Sequence, residues 1–186
     1  MSFSFASLLL GMALMFALFW LMNRKLGFVS QTPEHYADKG TPLDIRKALD
    51  GEMICEGVVY GPLGRVTSYF VGDFEAGWEG TNGYMKEHFK YDTGTVLDRK
   101  WSFRFTSDDG SFEAAAPDLI GTSYGRQMGS AVKLDYKIKL PESSGGHVLN
   151  ATDWMYQLDN GTIINRSQLR KFGIKLAEIV ATIRKK

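Results

Sequence analysis

The sequence predicts an up-and-down antiparallel β-barrel of about nine strands, preceded by one transmembrane helix and followed by a C-terminal amphipathic helix. Three observations support this fold class. The first residues are almost all apolar, the middle of the chain alternates apolar and polar residues, and glycine-containing turns separate the alternating runs. Strands joined by short connections in one domain are best closed into a barrel, because closure removes the unpaired edges.

The composition is that of a folded chain without the basic excess of a nucleic-acid-binding protein. Among 186 residues, 22 Lys and Arg stand against 21 Asp and Glu, so the net charge is +1. The single cysteine, Cys55, excludes an intramolecular disulfide and a zinc site built on two or four cysteines. The three histidines lack metal-ligand spacing, and GxSxG, P-loop and GxGxxG motifs are absent. The sequence therefore predicts no metal, no cofactor, no catalytic residue and no nucleic-acid partner.

The N-terminal segment predicts a membrane anchor over residues 1–23, with residues 3–22 crossing the bilayer. About 20 helical residues, rising about 1.5 Å each, span the roughly 30 Å of a bilayer core. A cleaved signal peptide is the alternative, but it needs a basic start and a small-residue cleavage site, and the sequence lacks both. Arg24 and Lys25 follow the apolar run, so the positive-inside rule places the rest of the chain in the cytoplasm.

A tether over residues 24–40 is expected to join the anchor to a barrel domain over residues 41–186, because Ser30 to Pro33 has a linker composition. A short helix is predicted over Ile45 to Leu49, with Thr41 as its N-cap. The alternation predicts strands over Glu52–Tyr60, Arg65–Trp78, Tyr84–Tyr91, Asp98–Thr106, Ser111–Ala116, Leu119–Met128, Ala131–Leu140, His147–Leu158 and Thr162–Leu169.

Turn residues separate these strands. The hairpin signals are Gly61 to Gly64, Asn82-Gly83, Asp92 to Gly94, Asp109-Gly110, Ser143 to Gly146 and Asn160-Gly161. Gly72 and Gly77 lie inside the second strand, where they predict bulges or bends.

The chain end predicts a helix with an apolar stripe formed by Phe172, Leu176, Ile179, Val180 and Ile183. This helix is expected either to pack on the barrel or to lie on the membrane that holds the anchor.

The densest mixture of polar and aromatic residues lies between His147 and Ser167. When the last two predicted strands are paired about Asn160-Gly161, Tyr156 lies opposite Asn165 and Asp153 lies near Ser167. Asp153 and Arg166 are then close enough for an ion pair. A structural polar network, a ligand headgroup site and a catalytic acid–base site all fit this pattern. The predicted ligand-binding residues are Asp153, Trp154, Tyr156, Asn165, Arg166, Ser167, Trp101 and Tyr91.

Several stretches resemble the bacterial domain of unknown function 3833 family, whose members are often labelled lipoproteins. They cover roughly residues 34 to 184 and include Asp153 to Tyr156, Asn160 to Thr162, Asn165 to Ser167, Lys171 to Gly173 and Phe89 to Asp92. The resemblance implies a lipocalin-like barrel in the Gram-negative envelope and no established activity. Because family members tend to be encoded near lipid-modifying enzymes, it also suggests lipid handling.

The lipoprotein relatives end their signal peptide in an acylated cysteine, whereas Cys55 lies inside the barrel domain. The expected location is therefore the inner membrane, crossed once, with the domain periplasmic by resemblance and cytoplasmic by the positive-inside rule.

The leading functional hypothesis is a non-enzymatic, membrane-anchored barrel that binds a lipid or fatty-acyl ligand. Barrels of this size can hold one small molecule. Its interior is expected to be lined or filled by Trp78, Phe89, Tyr91, Trp101, Phe103, Phe105 and Tyr136. One alternative is an enzyme, or a subunit of one, that modifies membrane lipids with Asp153, Tyr156, Arg166 and His147. The other is a protein–protein interaction module whose partner the sequence does not identify.

Overall fold

The computed structural model describes residues 4–142 and 145–186, without the side chains of Asn23 and Arg24. Residues 1–3 of the predicted anchor and residues 143–144 of the predicted turn therefore lie outside the described residues. Two α-helices, α1 (Phe5–Leu26) and α2 (Ile45–Ala48), precede the strands, with two short 3-10 helices between them (Phe28–Ser30 and Pro33–Tyr36). The ten strands are β1 (Gly51–Tyr60), β2 (Val66–Glu79), β3 (Asn82–Tyr91), β4 (Val96–Phe105), β5 (Ser111–Ala115), β6 (Ser123–Met128), β7 (Ala131–Lys139), β8 (Val148–Gln157), β9 (Ile163–Lys171) and β10 (Ile174–Lys185).

The strands form a closed antiparallel barrel in which every strand pairs with its sequence neighbours and β10 pairs with β1. The predicted up-and-down barrel is confirmed, with ten strands instead of about nine. Closure gives every described strand two neighbours, so no strand stands at the edge of the sheet.

Helix α1 is apolar and long enough to cross a membrane, and none of Phe5–Met22 is buried against the barrel. A membrane span and a signal sequence share these properties. Ser4 caps the helix by accepting a hydrogen bond from the Ala6 amide.

The prediction of a C-terminal helix is wrong, because these residues form β10. Ile179, Ala181 and Ile183 alternate inward along it, and β-branched residues favour strands. The hairpin before β10 has Phe172 and Gly173 at its centre, with φ of 53° and 81°. Positive φ at both central residues is the geometry that two-residue hairpins need. Strand formation is further favoured because β10 satisfies the edges of both β1 and β9.

Smaller predictions also differ from the structure. Asn82-Gly83, predicted as a hairpin turn, begins β3, and the turn lies at Gly80 and Thr81. Asp44, not Thr41, caps α2 by accepting from the Arg46 amide, and Thr41 instead donates to Asp159. The sixth strand begins at Ser123, since Leu119 makes only an isolated bridge.

Gly72 and Gly77 do not form bulges, because β2 pairs continuously with β3 through both positions. A Cβ at Gly72 would lie 3.1 Å from the Phe89 ring, and one at Gly77 would lie 2.9 Å from the Tyr84 ring. These glycines therefore make room for aromatic side chains on the neighbouring strand.

One end of the barrel, here called the closed end, is covered by α2 and filled with side chains. Leu43, Ile45 and Leu49 are at most 3% exposed there. Trp78 donates from Nε1 to the Leu49 carbonyl oxygen at 2.6 Å. The aromatic rings that fill this end are Trp78, Phe103, Phe105 and Phe112, with neighbouring centroids 5.5–6.2 Å apart.

The opposite end, here called the open end, carries the turns after β1, β3, β5, β7 and β9. Because β5 and β6 are short, β4 pairs with β5 only over Ser102–Phe105. The loop between β5 and β6 lies along β7 instead, where Ile120 donates to the Lys137 carbonyl and Lys139 donates to that of Asp118. The barrel wall beside the first half of β4 is thus a loop and not a strand.

Candidate functional site

A cavity of about 1020 Å³ includes the half of the barrel next to the open end and continues beyond the wall. This volume is at the upper end of the range of about 300–1,000 Å³ that is common for ligand sites. Outward-facing Asp73, Lys86 and His88 also border the space, so part of it lies outside the wall. The barrel is therefore filled at the closed end and hollow at the open end.

The cavity has one apolar side and one polar side. Strands β1, β2 and β10 and the end of β9 supply the apolar side, with Cys55, Phe70, Phe74, Leu169, Ile179 and Ala181, whereas Asn165 and Ser167 of β9 adjoin the polar side. Strands β3, β4, β7 and β8 supply the polar side, with Glu87, Arg99, Trp101, Tyr136 and Asp153. Such a lining suits a molecule with an apolar body and a polar end.

Arg99 is the centre of the polar side. It lies opposite Glu87 in the β3–β4 ladder, with 3.8 Å between its Nη1 atom and Glu87 Oε2. Its Nε atom is 2.8 Å from Asp118 Oδ2, and its Nη2 atom donates to Asp118 Oδ1 at 3.2 Å. Its guanidinium also lies 4.5 Å from the centre of the Trp101 ring. Asp118 belongs to the loop after β5, so this ion pair joins β4 to the loop that replaces a strand.

Asp153 lies on β8 and points into the same cavity. Tyr136 Oη donates to its Oδ2 atom at 3.0 Å. The Tyr136 ring in turn packs edge-on against Trp101, with centroids 5.5 Å apart. Burial raises the pKa of the Asp153 carboxyl.

Glu87 is 7% exposed, and burial raises the pKa of its carboxyl to about 7, although nearby Arg99 opposes that shift. Among the described residues, four buried polar atoms of this cluster have no hydrogen-bond partner: Glu87 Oε2, Arg99 Nε, Trp101 Nε1 and Asp153 Oδ1, although Arg99 Nε is ion-paired with Asp118. Buried polar atoms are normally paired, so unpaired atoms lining a cavity are a signal of a binding site.

Five of the predicted ligand-binding residues point into the barrel, and three do not. Asp153, Asn165, Ser167, Trp101 and Tyr91 line the cavity. Asn165 and Ser167 bond to each other, with Ser167 Oγ donating to Asn165 Oδ1 at 3.2 Å. The remaining three, Trp154, Tyr156 and Arg166, alternate with these residues and lie on the outer wall.

The predicted pairing of the two strands about Asn160-Gly161 is partly right. Asp153 lies opposite Ser167 as expected, but Tyr156 lies opposite Ile164 and not Asn165. The predicted Asp153–Arg166 ion pair is wrong. Arg166 lies opposite Trp154, the neighbour of Asp153 on β8, and neighbouring residues of a strand point to opposite faces of the sheet. Arg166 instead pairs outside the barrel with Glu178, at 2.6 Å from Nη2 to Oε1.

Trp154 is fully buried although it faces outward, because the segment before the barrel covers it. The Tyr36 ring lies 5.2 Å from that of Trp154 and 5.3 Å from that of Tyr156. Phe28 lies under the Arg166 guanidinium at 4.9 Å. The segment predicted as a tether, 24–40, is therefore in contact with the barrel wall from Phe28 onward.

The turn between β6 and β7 also holds this segment. Gly129 has φ of 53°, and a Cβ there would lie 1.7 Å from the Tyr36 carbonyl oxygen. We expect Gly129→Ala to lower the free energy of unfolding by about 2 kcal/mol more than Gly64→Ala, measured by urea denaturation. Gly64 is the matched control, because its φ is 79° but no atom lies within 4 Å of its Cβ position. Equal losses would show that the contact with Tyr36 contributes nothing.

The groups of the enzyme hypothesis are not assembled. Asp153 lies inside the barrel, Tyr156 and Arg166 lie outside, and His147 is exposed at the open end, 3.1 Å from Lys171 Nζ. The structure therefore brings together a different polar set from the one that the sequence predicted.

Sequence reasoning missed Glu87, Arg99 and Asp118, although a signal for two of them was present. Glu87 alternates in phase with Met85 and Phe89, and Arg99 alternates in phase with Trp101 and Phe103. A charged residue on the apolar face of a strand is a buried charge, which needs a partner or a function.

The family described as protein of unknown function (DUF3833) matches residues 23–185. The chain belongs to this family. The match begins where the apolar part of α1 ends, and it includes the segment that packs on the wall and the whole barrel. No curated protein sequence matches the chain significantly.

Among solved structures, the S-type phycobiliprotein lyase CPES from Guillardia theta is similar, with a TM-score of 0.56 and 6% identity over 84% of this chain and 98% of that one. The redesigned β-barrel mFAP1 bound to DFHBI gives 0.40 and 11% identity, over 75% of this chain and 97% of that one. A de novo designed fluorescence-activating β-barrel gives 0.38 and 13% identity, over 77% of this chain and 99% of that one. At such identities the lyase shows the fold that the DUF3833 chain adopts, and nothing of its ligand.

Proposed function

We propose that this DUF3833 barrel binds a lipid with an acyl chain, and that α1 holds the barrel beside the membrane that contains the lipid. The observation that carries the proposal is the cavity, which is apolar on one side, polar on the other and open at one end. An acyl chain lies against Phe70, Phe74 and Leu169, and the polar end of the lipid meets the Glu87–Arg99 side. Binding, and not catalysis, is the proposed role.

The open end supplies the route to the membrane. Its two neighbouring hairpins present Leu63 and Phe172, each 90% exposed, at their tips. Phe172 has a positive φ, which is unusual for a large side chain and holds its ring in water. Arg65 and Lys171 flank these tips, and a mixture of apolar and basic side chains favours an anionic lipid surface.

The short connection between α1 and the barrel supports the same arrangement. Because Phe28 already contacts Arg166, only the end of α1 and Gly27 separate the barrel from the apolar helix. Arg166 lies three residues from the closed-end start of β9 and five residues, or about 17 Å at strand spacing, from its open-end terminus. The proposal turns the open end toward the bilayer that the helix crosses.

The test is photo-crosslinking of the full chain in phospholipid nanodiscs. The probe is a monoacylglycerol with a diazirine in its acyl chain, and the crosslinked peptides are mapped by mass spectrometry. We expect label on the inward-facing residues of β2 and β9. Leu169→Trp, which fills the cavity, is expected to remove most of that label, whereas the matched outward-facing Val71→Trp is expected to leave it unchanged. Label confined to α1, or equal label in both variants, would contradict the proposal.

A further inference from the structure

The polar side of the cavity carries buried atoms without a hydrogen-bond partner and one cation that is already ion-paired. Among the described residues these atoms are Glu87 Oε2, Asp153 Oδ1, Trp101 Nε1 and Arg99 Nε, and the last of them lies 2.8 Å from Asp118 Oδ2. The cation is Arg99, whose guanidinium is held by Asp118 on one side and by Glu87 on the other. The chemistry of these groups restricts what the polar end of a ligand can be.

We infer that the cavity selects a lipid with an uncharged, hydroxyl-bearing polar end, such as a monoacylglycerol, over a lipid with a carboxylate or phosphate end. This inference rests on the proposed lipid-binding function and names the ligand class of the same site. A hydroxyl both donates and accepts. Hydroxyls of a glycerol ester donate to the two carboxyl oxygens, and one of its oxygens accepts from the Trp101 indole.

An anionic end is disfavoured on two grounds. The cation that points into the cavity is Arg99, and its guanidinium already lies 2.8 Å from Asp118 and 3.8 Å from Glu87. Lys139 and Lys186, which also border the space, are paired with Glu142 and Asp73. The anion would also lie beside Glu87, Asp153 and Asp118, and like charges in a buried site repel strongly. The outward-facing lysines of β3 and β4 do not compensate, because they lie on the other face of the wall.

The tyrosine of the cluster strengthens the same preference. Tyr136 Oη donates to Asp153 Oδ2, which leaves Oδ1 as the carboxyl oxygen without a hydrogen-bond partner among the described residues. A carboxylate or phosphate ester has few or no donors to offer it. The geometry therefore matches a lipid whose polar end has hydrogen-bond donors as well as acceptors.

The experiment compares two probes with the same diazirine acyl chain, one ending in a glycerol ester and the other in a free carboxylate, on the full chain in nanodiscs at about pH 8. Cavity labelling is normalised to labelling of the nanodisc phospholipid. We expect the glycerol probe to label the cavity at least about tenfold more, because like charges across a buried contact are strongly rejected. Glu87→Gln is expected to reduce that ratio, since it removes a carboxylate, while Glu79→Gln on the exposed end of β2 is expected to leave the ratio unchanged.

The outcomes separate the inference from the function on which it rests. Equal or stronger cavity labelling by the carboxylate probe overturns the head-group preference and leaves lipid binding in place. Absence of cavity labelling by both probes overturns lipid binding itself, and the preference with it. If Glu87→Gln fails to fold, Asp153→Asn tests the same preference from the other carboxyl.

Discussion

Trp154→Ala is expected to lower the free energy of unfolding by about 3–5 kcal/mol, as removal of a fully buried tryptophan usually does. The side chain is 0% exposed although it lies on the outer face of β8. Tyr36 covers it from the preceding segment, and Tyr156 stacks beside it with centroids 5.9 Å apart. Truncation would leave a cavity between the barrel wall and the covering segment, and the Tyr36 ring would lose its main contact.

Urea denaturation of the full chain measures this loss, with Tyr69→Ala as the matched control. Tyr69 also points outward, but it is 57% exposed, so its replacement is expected to change stability by no more than about 0.5 kcal/mol. A loss below about 1 kcal/mol for Trp154→Ala would mean that the segment is not packed on the wall as described.

The second large effect is a fall in stability as the pH rises from about 5 to about 8. The folded state holds the Glu87 pKa at about 7 by burial, against an ordinary value of 4.5. Between pH 4.5 and about pH 7 the Glu87 carboxyl is ionised in the unfolded chain but still protonated in the folded one. The free energy of unfolding is therefore highest below the unfolded-state pKa. It falls by about 3 kcal/mol in total as the pH rises through the folded-state pKa.

Glu87→Gln is expected to remove most of this decline, because the amide does not ionise. Urea denaturation at both ends of the pH range, for the wild type and the variant, gives the difference that belongs to Glu87. The charged and titratable groups around it are Arg99, Asp118, Asp153, Tyr91 and Cys55. Burial also raises the pKa of Asp153, so some decline of the same sign is expected to remain. Parallel pH profiles for the two proteins would show that Glu87 does not carry a buried charge.

The two predictions concern opposite faces of the same wall. Trp154 belongs to the outer face and stabilises the attachment of the segment that follows α1. Glu87 belongs to the inner face, where a polar group costs stability in the free barrel and becomes useful once a ligand bonds to it. A residue that reduces stability at a cavity wall is a common mark of a site selected for binding.

The sequence was sufficient for the barrel and for most of its strands. Period-two alternation indicates which residues face the core, and glycine-containing turns indicate where the chain reverses. Both patterns can be read from a short stretch of sequence, because both are local properties. The apolar length of α1 is local as well. The same reasoning failed at β10, whose apolar residues fit a helical stripe as well as a strand. Only the need of β1 and β9 for a partner decides between the two.

The site depended on tertiary structure for a similar reason. On β8 the sequence selected Asp153, Trp154 and Tyr156 together as ligand-binding residues, although neighbouring residues of a strand face opposite sides. The structure places Asp153 and Met155 inside, and the segment containing Tyr36 buries the outer face. That segment lies more than a hundred residues away in the chain. The sequence by itself thus determined that an up-and-down barrel forms, and tertiary packing decided which polar groups face its cavity, because burial depends on what covers a strand and not on the strand alone.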